Sequence, residues 1–244
     1  KNESKHLAAC LDTVFDIVDE IIILDSGSTD STKEIAKKYN AKWYVNLDWQ
    51  GFGKQRQLAQ TYATEDYVLV LDADERLDQP LRQAIVNVLN QPVQTDKVFS
   101  VARVNQFCGI EVQKRFWYTD KLARLYAREY FQYSSLEVHE SLDSKGVPVK
   151  KLDGYLMHLT NDDLHHFLLK NIRYSHDWAT EKYNNGKQVN LLMAILRSVF
   201  SFIREYIIRG DIFGGVYGLF LAVASIGYTL DKYLMLWYMN QDKR

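Results

Sequence analysis

The sequence has little cysteine and almost no net charge. Its two cysteines, Cys10 and Cys108, lack CxxC spacing, which excludes a disulfide framework and a cysteine-based zinc site. Two unpaired cysteines favour a reducing compartment. The formal net charge of -1 gives no support for nucleic-acid binding, which usually requires a strongly basic surface. We therefore expect no nucleic-acid partner.

Proline and glycine are also scarce, with 3 and 12 residues, and there is no internal repeat or low-complexity tract. The hydrophobic fraction of 47% and the charged fraction of 25% are those of an ordinary globular protein. A chain of 244 residues can bury a full core. This length suits one α/β domain with an appended segment.

Short apolar runs alternate with helical patterns in the first half of the chain. Residues 21–24 and 67–71 are continuous apolar runs, which are typical of strands buried on both faces. Apolar residues recur at helical spacing over residues 6–18. Further helices are expected over residues 32–39, 54–63 and 80–89, and a further strand over residues 42–45. This order predicts an α/β fold with a mostly parallel sheet and helices on both faces.

The pattern changes after about residue 96. Residues 98–104 and 121–126 are predicted to be strands of a mixed region, and the chain becomes helical and increasingly apolar from residue 162. We therefore predict a first domain over residues 1–160 and a helical C-terminal region over residues 161–244.

Two carboxylates follow the apolar run at residues 67–71. Asp72 and Asp74 are spaced i and i+2, so on an extended chain both side chains point to the same side. They would lie at the carboxyl end of a buried strand, where open α/β sheets bind ligands. A divalent cation such as Mg²⁺ or Mn²⁺, with a diphosphate, would relieve their repulsion. The alternative is a polar loop at the end of a strand.

The other buried strand ends in a similar way, in Asp25-Ser26-Gly27-Ser28-Thr29-Asp30. Gly27 permits a tight turn, and Asp25 can accept hydrogen bonds from a base or a ribose. The alternative is an ordinary turn that feeds a helix cap.

Three segments together resemble a known family. Lys1-Asn2-Glu3, residues 19–32 and residues 71–75 are similar to family 2 inverting glycosyltransferases, which have a nucleotide-diphospho-sugar (GT-A type) fold. More narrowly, the chain resembles bacterial lipopolysaccharide inner-core β-1,4-glucosyltransferases. Those enzymes share Asp-Ala-Asp-Glu, a later Val-His-Glu and a C-terminal pair of hydrophobic helices. The family opens with a strand just before Lys-Asn-Glu, and we interpret its absence before Lys1 as trimming.

The resemblance implies roles on the donor side. Asp25 would hold the uracil or ribose of a UDP-sugar, Asp72 would lie near the ribose and the metal, and Asp74 would ligate Mg²⁺ or Mn²⁺. His158 would reach the metal or the diphosphate, although a lone histidine among apolar residues is more often a core residue. The remaining donor-side predictions are Lys170 for the diphosphate, and Lys54 and Arg56 for phosphate at a helix N-terminus, with solvated surface charge as their alternative.

The resemblance also implies a catalytic base and an acceptor site. Inversion requires a group that takes the proton of the acceptor hydroxyl, and the resemblance points to Glu140. His139 would orient that base or bind substrate, and Arg124 matches a later family pattern on the acceptor side. Trp117 and Tyr118 can stack on an acceptor sugar, although aromatic residues in a strand usually pack in a core.

The C-terminal region contains long apolar stretches. Residues 189–209 are amphipathic, and residues 212–230 carry no charge. We favour helices that lie on or dip into the membrane interface. The alternatives are a membrane span, burial against the catalytic domain, and a homodimer contact.

Together these features predict an inverting, metal-dependent hexosyltransferase. It would move glucose from UDP-glucose to a heptose of the lipopolysaccharide inner core, as a peripheral protein on the cytoplasmic face of the inner membrane. The alternatives are a polyprenyl-phosphate glycosyltransferase and a non-catalytic, membrane-bound scaffold on the same fold.

Overall fold

The computed structural model describes residues 1–107, 110–111, 120–134, 141–161 and 164–241. The chain forms two compact units. The first comprises Lys1–Val104 and Asp120–His158, and the second comprises Asn105–Thr119 and Leu159–Arg244.

Helices and strands alternate in the first part of unit 1, as predicted. The elements are α1 (Leu7–Leu11), β1 (Ile22–Asp25), α2 (Thr32–Lys38), β2 (Lys42–Val45), α3 (Phe52–Thr61), β3 (Tyr67–Leu69), β4 (Glu75–Leu77) and α4 (Gln79–Leu89). The predicted helix over residues 6–18 is wrong in its length, because α1 ends at Leu11 and continues as turns with i to i+3 hydrogen bonds. Val14 is nevertheless buried, so the apolar spacing marks a packed face beyond the helix.

Most of the strands after α4 belong to one larger sheet. They are β5 (Val98–Phe107), β6 (Ile110–Glu111), β7 (Asp120–Ala127), β8 (Gln132–Tyr133), β9 (Leu142–Asp143) and β10 (Val149–Asn161). The main sheet has the order β3-β7-β5-β10-β4, and β6 pairs with β5. The registered pairs of this sheet are antiparallel, whereas β1 and β2 pair in parallel. The α/β class is thus confirmed. The strand directions are mixed, with one parallel pair beside the antiparallel pairs of the main sheet, where we expected mostly parallel strands. The reason is that an apolar run carries no information on the direction of its partner.

The core of unit 1 lies between α4 and the sheet. Leu81 and Ile85 of α4 are fully buried, as are Phe99 of β5 and Leu156 of β10. Asp78 caps α4, because its carboxylate accepts a hydrogen bond from the Leu81 N–H at 2.8 Å. Pro80 lies in the first turn, which agrees with the helix start that we predicted at residue 80.

A cavity of about 1100 Å³ lies between β1 and β3. Its walls include Ile22, Ile23 and Leu24 of β1, and Val68 and Leu69 of β3. Among the described residues, β1 pairs with β2 and β3 pairs with β7, so the facing edges of β1 and β3 hold no ladder with each other. The additional strand that the resemblance implies stays a prediction, and an extended segment in this cavity would find backbone partners on both sides.

Gly154 allows β10 to cross the first turn of α4 closely. Its φ is +91°, and a Cβ atom there would lie 2.2 Å from the Leu81 backbone nitrogen. We expect Gly154→Ala to lower the free energy of unfolding by about 2–5 kcal/mol, from left-handed backbone strain plus overpacking. Urea denaturation measures this loss.

The matched control for that variant is Gly146→Ala. Gly146 also has a positive φ, +78°, but no atom lies within 4 Å of the position that a Cβ would take. Its loss should therefore be limited to the backbone term, about 1–2 kcal/mol. Equal losses at the two glycines would contradict the close approach at Gly154.

Unit 2 is mainly helical, with α5 (Leu164–Asn184), α6 (Leu191–Ile203) and α7 (Gly215–Gln241). A π-helical segment (Arg204–Ile208) and a 3₁₀ turn (Asp211–Gly214) connect α6 to α7. Ser201 of α6 donates to the Ser225 carbonyl of α7 at 3.1 Å, and Asn240 near the end of α7 reaches the Lys187 carbonyl before α6. These contacts make α6 and α7 an antiparallel hairpin. By length and composition, the stretch Asp211–Gln241 is apolar enough to cross a membrane.

Candidate functional site

Asp72 lies just beyond β3, and two arginines hold its carboxylate. Arg56 of α3 donates to both oxygens, at 2.9 and 3.2 Å, and Arg124 of β7 donates to Oδ2 at 3.0 Å. Burial raises the pKa of Asp72, but the guanidinium groups of Arg124 and Arg56 outweigh it and lower this pKa to about 2. The side chain remains 37% exposed, so Asp72 is an ionised, oriented acceptor with an open face.

Glu75 contacts both Arg124 and Asp72 from the interior of the protein. Its side chain is fully buried, accepts the Arg124 guanidinium at 2.8 Å and accepts the Asp72 backbone N–H at 2.9 Å. Burial raises the pKa of Glu75 above its ordinary value. The Arg124 guanidinium lowers this pKa and the Asp72 carboxylate raises it, and the net shift is upward. Our sequence prediction missed this residue, although it is the last letter of Asp-Ala-Asp-Glu. Arg124, predicted on the acceptor side, is itself 3% exposed and lies beneath Asp72, so its contacts favour a positioning role.

Asp74 and His158, the two predicted metal ligands, lie next to each other. β10 pairs with β4 in the register His158 opposite Glu75, which brings His158 Nε2 to 3.2 Å from Asp74 Oδ2. Both side chains are partly exposed, at 31% for Asp74 and 15% for His158. A carboxylate oxygen and an imidazole nitrogen fit a divalent cation such as Mn²⁺. Within the described ranges no group of three or more such side chains converges, and a site of this kind leaves coordination positions for a diphosphate and water.

Asp25, the last residue of β1, hydrogen-bonds to the loop that follows this strand. Its carboxylate accepts the backbone N–H groups of Gly27 and Ser28, at 2.8 and 2.6 Å, and the Ser28 hydroxyl. Burial raises the pKa of Asp25, but these hydrogen bonds outweigh it and lower the pKa. Gly27 has a φ of +84°, so the turn requires glycine. The structure thus shows the turn that we gave as the alternative, and nucleotide binding by Asp25 stays a prediction.

The first residues of the chain reinforce the same loop. Asn2 donates its backbone N–H to the Ser28 hydroxyl at 2.7 Å, and its side chain accepts the Thr29 N–H at 2.9 Å. The Ser4 N–H donates to Asp30. The Lys1-Asn2-Glu3 motif therefore has a structural use, which is to order the loop after β1.

Helix α3 connects this loop to Asp72. Gln55 donates to the Ser26 hydroxyl at 3.2 Å, while Arg56, one residue later, holds Asp72. Gln55 is a second residue that our sequence prediction missed, and glutamine in a polar helix gives no signal of such a contact. Lys54 lies on the exposed side and donates to Gln50, so its phosphate role stays a prediction.

One cavity gathers much of the predicted site. The same cavity of about 1100 Å³ that separates β1 from β3 is also lined by Asp25, Arg56, Asp72, Asp74 and His158. These five predicted residues bring three carboxylates, a guanidinium and an imidazole to a cavity that also has an apolar wall. These groups can bind a ribose, orient a diphosphate and hold a divalent metal.

The remaining predictions concern one residue of unit 2 and four residues outside the described ranges. Lys170 lies on α5 of unit 2, where its ammonium is 5.8 Å from the Tyr174 ring centroid. Trp117, Tyr118, His139 and Glu140 lie outside the described residues. Their roles on the acceptor side and in proton transfer stay predictions.

Comparison with known structures identifies the fold. The chain aligns over its full length with 85% of a mannosyltransferase from Pyrobaculum calidifontis, solved in complex with GDP-Man and Mn²⁺. The TM-score is 0.50 and the sequence identity 13%, which shows the fold of GT-A-type transferases. The predicted fold class, with an apolar helical extension, is therefore confirmed.

Sequence comparison then identifies the family. The model of glycosyl transferase family 2 matches residues 1–140, more than half of the 244 residues, and the chain belongs to that family. It is 28% identical over 235 residues to the lipopolysaccharide core biosynthesis glycosyltransferase LpsC of Rhizobium meliloti, an alignment that covers 93% of this chain and 86% of that protein. An uncharacterized glycosyltransferase of Rickettsia prowazekii is 26% identical over 246 residues, covering 97% and 82%.

Proposed function

We propose that this family 2 glycosyltransferase moves glucose from UDP-glucose to a heptose of the lipopolysaccharide inner core, with inversion and with Mg²⁺ or Mn²⁺. The observation that carries the proposal is the adjacent Asp74–His158 pair beside an Asp72 carboxylate held by two arginines. The similarity to LpsC supports the acceptor class, and the nucleotide-sugar donor of the mannosyltransferase supports the donor class.

Different residues of the cavity would bind different parts of the donor. Asp72, fixed from both sides by Arg56 and Arg124, would accept ribose hydroxyls through its open face. Asp74 and His158 would hold the divalent cation. When bound, that cation supplies positive charge beside the leaving diphosphate.

Glu140 is the residue that we propose for proton transfer. In the reaction, the acceptor oxygen bonds to the anomeric carbon, the bond from that carbon to the diphosphate oxygen breaks, and the acceptor proton passes to the Glu140 carboxylate. Attack from the side opposite the leaving group inverts the anomeric centre. His139, one residue earlier, would orient the base or the acceptor.

We expect Glu140→Gln to abolish transfer while UDP-glucose still binds. The amide keeps the size of the side chain but cannot take a proton, and the loss of a general base typically lowers the rate by about 10²–10⁴-fold. Transfer to a heptose-containing acceptor, followed by mass spectrometry, gives the rate, and calorimetry gives donor affinity. Unchanged turnover would sink the base assignment and favour a phosphate acceptor such as polyprenyl phosphate, which needs little base catalysis.

We also propose that the protein works as a peripheral protein on the cytoplasmic face of the inner membrane. An inner-core acceptor is anchored in a lipid, and a nucleotide sugar is a cytoplasmic donor. The apolar surface of unit 2 supports this placement.

A further inference from the structure

The connection between α6 and α7 exposes an unusual concentration of apolar side chains. We call residues 204–217 the hairpin tip. Within it, the exposed fractions are Ile207 62%, Ile208 67%, Ile212 47%, Phe213 68%, Val216 79% and Tyr217 49%. Soluble monomers rarely expose a contiguous apolar patch of this kind, so a partner surface is indicated.

The charges of the hairpin tip are arranged with the acids inside and the bases outside. Glu205 is 9% exposed and Asp211 6% exposed. Arg204 and Arg209 both pair with Glu205, at 3.0 and 2.7 Å, yet their side chains remain 46% and 33% exposed. The four formal charges cancel, so insertion of the tip into an apolar phase leaves no net charge, while the surface presents only guanidinium groups.

The backbone of the hairpin tip is preformed and internally bonded. Gly210 takes a left-handed conformation with φ +79°, and its carbonyl accepts the Phe213 N–H at 3.1 Å. A Cβ atom on Gly218 would lie 1.7 Å from the Asp211 carbonyl oxygen, so the 3₁₀ turn rests directly on α7. Internal hydrogen bonding of this kind is a requirement for a segment that enters lipid.

The arrangement of the exposed residues favours a fluid apolar phase over a second protein surface. They come in consecutive pairs on three successive segments: Ile207 and Ile208, Ile212 and Phe213, and Val216 and Tyr217. Consecutive helical residues point about 100° apart, so the apolar groups surround the tip and do not form one flat face. A protein partner would have to be concave around it.

The length of α6 favours insertion of the tip into one leaflet. Helix α6 has 13 residues, which is roughly 20 Å of helix, whereas a span requires about 30 Å. Helix α7, with 27 residues, is long enough to cross, so the shorter arm limits the depth of the hairpin. Since α6 and the start of α7 are antiparallel, both ends of the hairpin leave on the same side. Exposed Leu192, Leu196 and Val199 continue the apolar surface along α6.

We propose that the hairpin tip inserts into one leaflet of a bilayer containing anionic lipid. Arg197, Arg204 and Arg209 would lie among the headgroups, and between residues 188 and 230 the two acids, Glu205 and Asp211, are buried. This inference concerns unit 2 alone. It deepens the peripheral membrane placement proposed above, on which it rests, and does not depend on the transfer reaction.

The test uses the full chain and vesicles of phosphatidylethanolamine with or without phosphatidylglycerol. We expect co-sedimentation with both, more strongly with phosphatidylglycerol. The double variant Ile208→Asp/Phe213→Asp should weaken binding by roughly 100-fold, because it removes two large apolar side chains from the inserted surface. The matched control is Tyr130→Asp/Val149→Asp, which changes two similarly exposed apolar residues of unit 1 and should bind vesicles as the unchanged chain does.

Two outcomes would overturn the proposal. One is equal vesicle binding by the tip variant and the unchanged chain. The other is a chain that ignores vesicles but sediments as a dimer, with the tip variant monomeric, which would make the tip a contact between copies. UDP binding, measured in parallel on every variant, reports folding of unit 1. Its absence in the unchanged chain would count against the proposed function and leave the vesicle result intact.

Discussion

Asp74→Ala should eliminate transfer and remove the metal dependence of donor binding. Asp74 offers its carboxylate beside His158, at 3.2 Å, on the wall of the cavity that Asp72 also lines. In the proposed metal site this variant removes one of two protein ligands. We therefore expect a fall in rate of roughly 10³-fold or more, comparable with the loss of other charge-stabilising groups in active sites. Calorimetry of UDP with and without Mn²⁺ measures the binding part directly.

The matched control is Asp153→Ala. Asp153 lies on β10, the strand that also carries His158, but it is exposed and does not line the cavity. This variant should bind UDP in the same metal-dependent manner as the unchanged chain. If Asp74→Ala kept its Mn²⁺-dependent affinity for UDP, the metal would have to be held elsewhere, and the pairing of Asp74 with His158 would be structural.

The sequence predicts well those parts of the site that depend on a local pattern of residues. An apolar run that ends in Asp72 and Asp74 identifies the end of a strand without any partner strand being known. Pro80 identifies the start of α4 for the same reason, because the signal is local. Asp25 and Asp72 each follow an apolar run at a strand end, and both line the cavity, although β1 and β3 belong to different sheets.

The parts that sequence misses depend on contacts between distant segments. Arg124 lies 52 residues from Asp72 and 49 from Glu75, and no local pattern indicates that β7 passes beside β3. The direction of the strands is lost in the same way, since the run at residues 67–71 is equally apolar whether its neighbour is parallel or antiparallel. Gln55 belongs with these residues, because its contact with Ser26 becomes visible only when α3 is placed against β1.

Asp72 shows what a contact with a residue distant in sequence, Arg124, adds to a local motif. A carboxylate at a strand end would otherwise rotate in solvent, but here Arg56 and Arg124 hold it by hydrogen bonds. The buried Glu75 holds the same residue through the Asp72 backbone N–H. Because the Asp72 side chain is already ordered, less conformational entropy would be lost when a ribose binds to it. The orientation of the proposed donor site would therefore depend on a charge cluster that is mostly buried.

Arg124→Met should consequently cost stability as well as function. Arg124 is 3% exposed and Glu75 fully buried, and their ion pair is 2.8 Å long. Removing the guanidinium leaves Glu75 as a buried carboxylate whose remaining cationic partner, Arg103, lies 3.9 Å away. Breaking a buried ion pair typically costs about 3–5 kcal/mol, and Arg103 should keep the loss near the lower end of that range. Urea denaturation should show a lower midpoint with an unchanged slope, and donor affinity should fall because Asp72 loses one of its two arginines.

A second substitution separates the lost charge pair from lost packing. In Arg124→Met/Glu75→Met no buried charge remains between the two positions, so part of the stability should return, with a coupling of about 1–3 kcal/mol between the sites. Arg128→Met is the surface control: its side chain is 25% exposed, it pairs with the exposed Glu129, and its loss should cost about 1 kcal/mol or less. Equal destabilisation by Arg124→Met and Arg128→Met would mean that the cluster beneath Asp72 does not hold the strand end in place. Stability restored by the double variant while donor affinity stays low would show that the same arginine supports the fold through Glu75 and the donor site through Asp72.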